Sequence, residues 1–265
     1  SLTTVNKLLV RYSTLFDWIK RHGYISENYF DGLTVKQKKN KKELRAPYSN
    51  DQLQLLFQII NSSNKKHSYY YWLPRIALYS GMRLNEICQL HLSDIKLEES
   101  IFIFDVNDDD EKQLKSPGSK RWVPIHMELI YMGLLDRVET LISQGKTRLF
   151  PELKHNGNNY AAEPSKWFAL IRKKLGWVNL TPKLDFHSYR HNVATELQRQ
   201  DVPEYRIAAV LGHEVGSGET FKRYGKGFKT ATVQADIEML NFNLPVINTL
   251  PPSFKEDKIK KTFLS

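Results

Sequence analysis

Tyr224 stands in FKRYGKG, flanked by Lys222, Arg223 and Lys226. A buried core tyrosine does not want cations around it, whereas a phenol that must lose its proton and attack a phosphate does. Two other segments hold polar residues suited to phosphoryl transfer. In SGMRLNE, Arg83 follows a glycine turn and opens a helix, with Glu86 one turn on. In DFHSYRHNVATEL, His187 and Arg190 lie three apart and so share one helix face. His213 ends the apolar run before Tyr224, eleven residues ahead of it. Guanidinium groups offer planar, paired donors that match phosphate oxygens, so Arg83 and Arg190 suit a clamp on developing charge. Taken singly these signals are weak: an Arg-x-x-Glu pair is more often a surface ion pair, and a lone histidine is more often structural.

Taken together and in this order, with a basic hairpin between the first two boxes, they resemble the tyrosine recombinase, or phage integrase, family over about residues 48–240. The resemblance implies a nucleophile at Tyr224, a cationic clamp of Arg83 and Arg190, and supporting roles for His187 and His213. His187 would help deprotonate Tyr224 or bond the phosphate, and His213 would donate a further hydrogen bond. The resemblance also implies a hairpin lysine that protonates the departing 5′ oxygen. Distance from Val123-Pro124 points to Lys115, with Lys120 the alternative. Glu86 would orient a guanidinium or support its helix, the latter being preferred. The His213–Tyr224 interval is longer than in many members, with the extra length in Gly216-Ser217-Gly218, a stretch whose glycines can absorb it.

The elements that must carry these residues are mostly helical. The fold class expected is α+β, a recombinase catalytic domain with a small antiparallel hairpin or sheet. Apolar residues Leu8, Leu9, Tyr12, Leu15, Phe16 and Ile19 recur at helical spacing up to Gly23. Residues 1–34 are read as the end of a SAM-like helical core-binding domain whose other helices lie outside this chain. Residues 35–47 form a basic linker, in which Lys36, Lys38, Lys39, Lys41 and Lys42 are expected to touch DNA. The catalytic domain is placed at 48–243. It opens with a helix capped by Ser49, followed by one interrupted or restarted at Pro74 and stopped at Gly81, and then a third in MRLNEICQLHL. IFIFDV and RWVPIH read as two strands around NDDDEKQLKSPGSK. Helices follow near 127–144, 163–175, 186–200, 203–212 and 229–240. The proline-bearing tail, 244–265, reads either as an arm that docks on a neighbouring subunit or as a disordered segment.

Composition agrees with a polyanionic partner: the 265 residues carry a net charge of +10. Lys120, Arg121, Lys222 and Arg223 join the linker lysines as expected DNA contacts. The single cysteine, Cys88, excludes an intramolecular disulfide or a cysteine-based zinc site within this sequence. The run Asp108-Asp109-Asp110 reads as a solvated hairpin tip in preference to a metal site. Tyr69-Tyr70-Tyr71-Trp72 reads as core with an exposed edge in preference to a base-stacking platform. No cofactor or metal is expected, and no GxxxxGK[ST] loop is present. With no signal peptide and no apolar run of spanning length, the expected location is the cytoplasm of a bacterial host, at the nucleoid. Expected partners are double-stranded DNA crossover sites, three further copies in a synaptic tetramer, and an accessory DNA-bending or directionality factor. A type IB topoisomerase and a non-cleaving DNA clamp are the rival readings.

Overall fold

The computed structural model describes residues 2–36, 45–62, 67–157, 159–213 and 228–244. They fall into two compact units, one within residues 1–44 and one within 45–265. In the first, helix α1 (Leu2–Arg21) carries the apolar stripe and closes at Gly23, whose φ of 77° suits glycine. The following chain folds back on it. Asn28 Nδ2 donates to Ser13 O at 3.0 Å and Asp17 Oδ1 at 2.8 Å, and the Phe30 ring packs on Tyr12 and Phe16. No residue of α1 is buried.

The second unit is built around a helix whose sequence is apolar nearly all round. α2 (Asn50–Ser62) starts with a reciprocal cap: Gln52 N donates to Ser49 Oγ, and Ser49 N to Gln52 Oε1. α3 (Tyr69–Ser80) runs unbroken through Pro74, contrary to the expected interruption. Pro74 is the sixth of its twelve residues, and its missing N–H takes one backbone bond from the helix. The turn is tied by buried Arg75, whose Nη1 donates to Tyr71 O at 2.6 Å and whose Nη2 donates to Asn61 Oδ1 at 2.7 Å. Tyr69 and Trp72 are buried on α3, while half-buried Tyr70 stacks on Trp167 at 4.6 Å, so this aromatic run is chiefly core.

α4 (Leu84–Cys88) is shorter than the sequence suggests, and Cys88 packs as a buried hydrophobe. A three-stranded antiparallel meander follows: β1 (Ile95–Glu98), β2 (Ile101–Val106) and β3 (Arg121–Pro124), with Phe104 opposite both Ile95 and Val123. β1 is not foreseen in the sequence, because its turn uses Glu99 and Ser100 at positive φ (49° and 67°) where glycine or asparagine is the usual signal. The span 127–144 is two helices, α5 (Met127–Tyr131) and α6 (Leu134–Ser143), parted at Gly133. α7 (Ala162–Lys174), α8 (Ser188–Arg199), α9 (Glu204–Leu211) and α10 (Thr230–Glu238) complete the unit. α3 packs on α8 and α4, α8 on α9, and α10 on β3. A bidentate ion pair between Arg206 and buried Asp236 ties α10 to α9.

Gly81 closes α3 where the three layers meet. Its φ is +65°, and an added Cβ would lie 2.6 Å from Leu211 Cδ2 and 3.2 Å from Val193 Cγ1. Gly81→Ala should therefore destabilise the unit by about 2 kcal/mol. A denaturant midpoint unchanged from the parent's would show that α8 and α9 do not press on this turn.

Candidate active site

Arg83 occupies the extended N-cap position of α4, and Glu86 at the third helical position reaches back to it. Arg83 N donates to Glu86 Oε2 at 2.9 Å, and Arg83 Nη1 to Glu86 Oε1 at 2.5 Å. The Arg83 side chain is 18% exposed, so it retains a face to solvent, while Glu86 is buried beneath it. Arg83 also donates to Ser119 Oγ at 3.3 Å and Gly212 O at 3.2 Å.

α8 begins at an aspartate that sequence reasoning passed over. Asp185 Oδ1 accepts from His187 N at 3.0 Å, while Asp185 O accepts from Ser188 N and from the Tyr48 hydroxyl. Its other oxygen pairs with Arg45 at 3.0 Å and Lys183 at 3.1 Å. This fixes the head of α8, and Arg190, less than one turn further on, is carried into the protein. Arg190 Nη1 donates to Gly81 O at 2.8 Å, and Nη2 to Leu211 O.

α9 ends in a Schellman motif: His213 N donates to Ala208 O at 2.9 Å, and Gly212 N to Ala209 O at 3.1 Å, with Gly212 at φ 61°. The next three carbonyls are each taken by a different arginine. Val210 O accepts from Arg121 Nε at 2.8 Å, Leu211 O from Arg190, and Gly212 O from Arg83. Backbone oxygens at a helix C-terminus carry partial negative charge, so they suit guanidinium donors.

The resulting cluster is strongly cationic. Burial, then the charges of Arg83 and Arg121, brings Arg190 down to about 9. Glu86 is the balancing carboxylate: burial alone would raise it, but Arg121 and Arg83 hold it below the usual carboxylate range. Burial, reinforced by His191, Arg45 and Arg190, depresses His187 to about 4. Desolvation of its inner side, with Arg190, Arg83, Arg121 and Lys115, does the same to His213. Both imidazoles are thus neutral near pH 7 in the absence of an anion, able to take up a proton when one arrives.

The cavity between α4, α7 and the head of α8 is lined by Arg83, His187 and Arg190, with Arg172 and Lys183 as further cations. His213 is exposed beside this cluster. The structure thus brings together five of the residues singled out from the sequence: Arg83, Glu86, His187, Arg190 and His213.

The family model described as "Phage integrase family" matches residues 47–229, which is most of the second unit. The chain belongs to the phage integrase family. Among curated members, the tyrosine recombinase XerA of Pyrococcus horikoshii is 25% identical over 192 residues, covering 69% of this chain and 60% of that protein. The tyrosine recombinase XerC of Listeria innocua is 23% identical over 218 residues, covering 80% of this chain and 68% of that one. Solved integrases share the fold. The Tn1549 transposon integrase in complex with circular intermediate DNA superposes with a TM-score of 0.59 at 21% identity, covering 91% of this chain and 80% of that one. A lambda integrase dimer bound to a COC′ core site does so with 0.59 at 18%, covering 81% and 73%.

The other residues singled out from the sequence lie elsewhere. Lys115 is exposed on the β2–β3 loop, and its charge is among those felt by His213. Lys120 is exposed too, but it pairs with Asp108 on the same loop. Arg121, expected to touch DNA, is instead turned inward: its side chain is 7% exposed and Nη2 donates to Glu86 Oε2 at 2.9 Å. The cause is its place at the first residue of β3, facing a buried carboxylate it alone shares with Arg83 among the described residues. Lys36 is exposed in the first unit. Tyr224, Lys222, Arg223, Lys38, Lys39, Lys41, Lys42 and the tail from 245 lie outside the described residues.

Sequence reasoning missed Asp185, Ser119, Arg172 and Lys183. Asp185 stood directly beside the His187 box, and an Asx cap two residues before a helical histidine was the available signal. At the hairpin, Asp110 and Glu111 are not simply solvated: both approach His91, with one ligand atom of each within 4.8 Å of the others. Glu111 also accepts from the Tyr160 hydroxyl at 2.9 Å.

The histidine shifts set a direction for stability. Their pKa values drop from 6.5 to about 4 on folding, so between these limits the unfolded chain binds protons that the folded chain refuses. Stability is complete above pH 6.5 and falls as pH is lowered towards 4. His126, also buried and depressed to about 4, contributes with the same sign. The melting temperature should therefore drop between pH 6.5 and 4.5, and His187→Gln should make that drop shallower. An unchanged slope in the variant would place His187 in a fully solvated setting.

Proposed function

We propose that this chain is a site-specific DNA recombinase that cuts and rejoins strands through a covalent 3′-phosphotyrosine at Tyr224. The observation that carries the reading is the convergence of Arg83, Arg190, His187 and His213 on one cationic centre, in a member of the phage integrase family. Its relatives are named tyrosine recombinases, and the chain spans 60–68% of the length of the first two.

In this mechanism the scissile phosphate sits against Arg83 and Arg190, whose free N–H groups offset charge on the two non-bridging oxygens. Their carbonyl and carboxylate partners hold them in place beforehand, so little reorganisation accompanies the reaction. Tyr224 Oη attacks phosphorus as its proton passes to His187 or to water. The P–O5′ bond breaks as the tyrosyl ester forms, and Lys115 gives its proton to the departing 5′ oxygen. Lys115 is favoured over Lys120 because its charge reaches His213, whereas Lys120 is drawn to Asp108. The ester keeps the bond energy, so a 5′ hydroxyl from another strand can reverse the step without a nucleotide cofactor or a metal ion. Residues 1–34 would be the end of a core-binding domain, and the linker 35–47 would touch DNA ahead of the catalytic domain 48–243. Four copies would act together, each lending its tail to a neighbour, with a DNA-bending or directionality factor setting the outcome in the bacterial cytoplasm.

The test is covalent trapping. A library of randomised duplexes, nicked so that the cut fragment diffuses away, is incubated with the protein and then denatured in detergent. The parent should give a DNA-shifted band with the adduct on Tyr224 by mass spectrometry, and Tyr224→Phe should give none while binding DNA within about twofold of the parent. An adduct at another residue, or no adduct from the parent with any duplex, would overturn the reading. DNA affinity should also fall steeply with salt, by about one unit of logarithmic slope per phosphate contacted. A flat salt response would remove the phosphate backbone as the ligand.

A further inference from the structure

We infer that Arg121 is a positioning residue for the general acid: it fixes the Lys115 loop against the arginine clamp without touching DNA. The inference rests on the recombinase reading above and deepens it.

The Arg121 guanidinium reaches three elements at once. Nη2 donates to Glu86 Oε2 on α4 at 2.9 Å, Nε to Val210 O at the end of α9 at 2.8 Å, and Nη1 to Ser119 O on the β2–β3 loop at 2.9 Å. Ser119 is fully buried and in turn holds Ser116, the neighbour of Lys115: its N–H donates to Ser116 O at 3.0 Å, and the two hydroxyls lie 3.2 Å apart. A continuous chain of contacts thus runs from the Glu86 carboxylate, which also anchors Arg83, through Arg121 and Ser119 to Lys115. The packing is close on the far side as well, since a Cβ on Gly212 would lie 2.7 Å from Arg121 Nη1.

The two attachments differ in what would survive without Arg121. The end of α9 keeps Arg190, Arg83 and its own Schellman bonds. Ser119 keeps only the 3.3 Å contact from Arg83 as a side-chain link to the clamp. The loop, and with it Lys115, therefore depends on Arg121 more than His213 does. Lysine cannot substitute: it preserves the charge beside Glu86, but its donors share one atom and cannot serve three divergent acceptors.

The experiment compares leaving groups. Arg121→Lys and the parent are given the nicked duplex recovered by the parent in the trapping assay, with either oxygen or sulfur at the bridging 5′ position. A thiolate leaves without a proton, because a thiol has a pKa of about 8.5, so a sulfur-bridged substrate does not need a well-placed Lys115. Arg121→Lys should lose on the order of 100-fold in single-turnover cleavage of the oxygen-bridged duplex. It should come within roughly threefold of the parent on the sulfur-bridged one, with DNA affinity unchanged. Equal losses on both duplexes, or no loss on either, would overturn the assignment. If Arg121→Lys fails to fold by circular dichroism, Ser116→Ala weakens the last link of the chain at a less buried position, removing its hydroxyl contact with Ser119 and leaving the backbone bond. A smaller loss on oxygen that sulfur restores then supports the inference, and any other pattern refutes it. A parent that traps no duplex fails the recombinase reading itself and takes this inference with it, whereas a parent that cleaves while the variant shows no sulfur rescue fails the inference alone.

Discussion

The site depends on where the last carbonyls of α9 point. Val210, Leu211 and Gly212 offer three successive backbone oxygens, each accepting from an arginine delivered by a different element: β3, α8 and the residue that opens α4. The Schellman turn uses the two carbonyls before them and sends His213 out alongside. Gathering three guanidinium groups costs energy, because like charges at such range repel and burial penalises each one. The helix end supplies partial negative charge without adding a carboxylate that would compete with a phosphate for the clamp.

The charge balance follows from that arrangement. One buried carboxylate, Glu86, faces two of the three arginines, so the cluster carries an unmatched positive charge before any ligand arrives. Burial first, and then the same excess of charge, lowers the pKa values of Arg190, His187 and His213. An anion bound there would relieve all three. The free energy stored in holding these cations together, offset by packing elsewhere, becomes differential affinity for a species richer in negative charge than the ground state.

Much of this was legible in the sequence because the polar boxes sit at helix ends with clear stop signals. Gly81 before Arg83, and Leu-Gly-His at 211–213, marked turns whose geometry the structure bears out. The strands around 101–106 and 121–124 followed from two apolar runs around a polar tip, and the α+β class from many helical segments with few strands. What was not legible was direction. A basic residue beside a strand reads as surface until one knows that Glu86 lies beneath it, so Arg121 was assigned outward. β1 was hidden by a turn of Glu and Ser at left-handed angles, and Pro74 looked like a break because a proline inside a helical pattern usually ends or kinks the helix. Asp185 carried a local signal, an Asx cap two residues before His187, but its pairing with distant Arg45 is what no local pattern encodes.

One consequence of the α9 terminus concerns sequence drift. Its acceptors are main-chain oxygens, which every amino acid possesses, so exchanging the side chains of Val210 or Leu211 for others of similar volume deletes no acceptor from the cluster. Only Gly212 is constrained by identity, through its left-handed angle and the guanidinium pressed against it. The core around the site can therefore be repacked over evolutionary time while the arginines keep their bearings. The element that aims the three arginines is thereby insulated from most of the substitutions that would reach it.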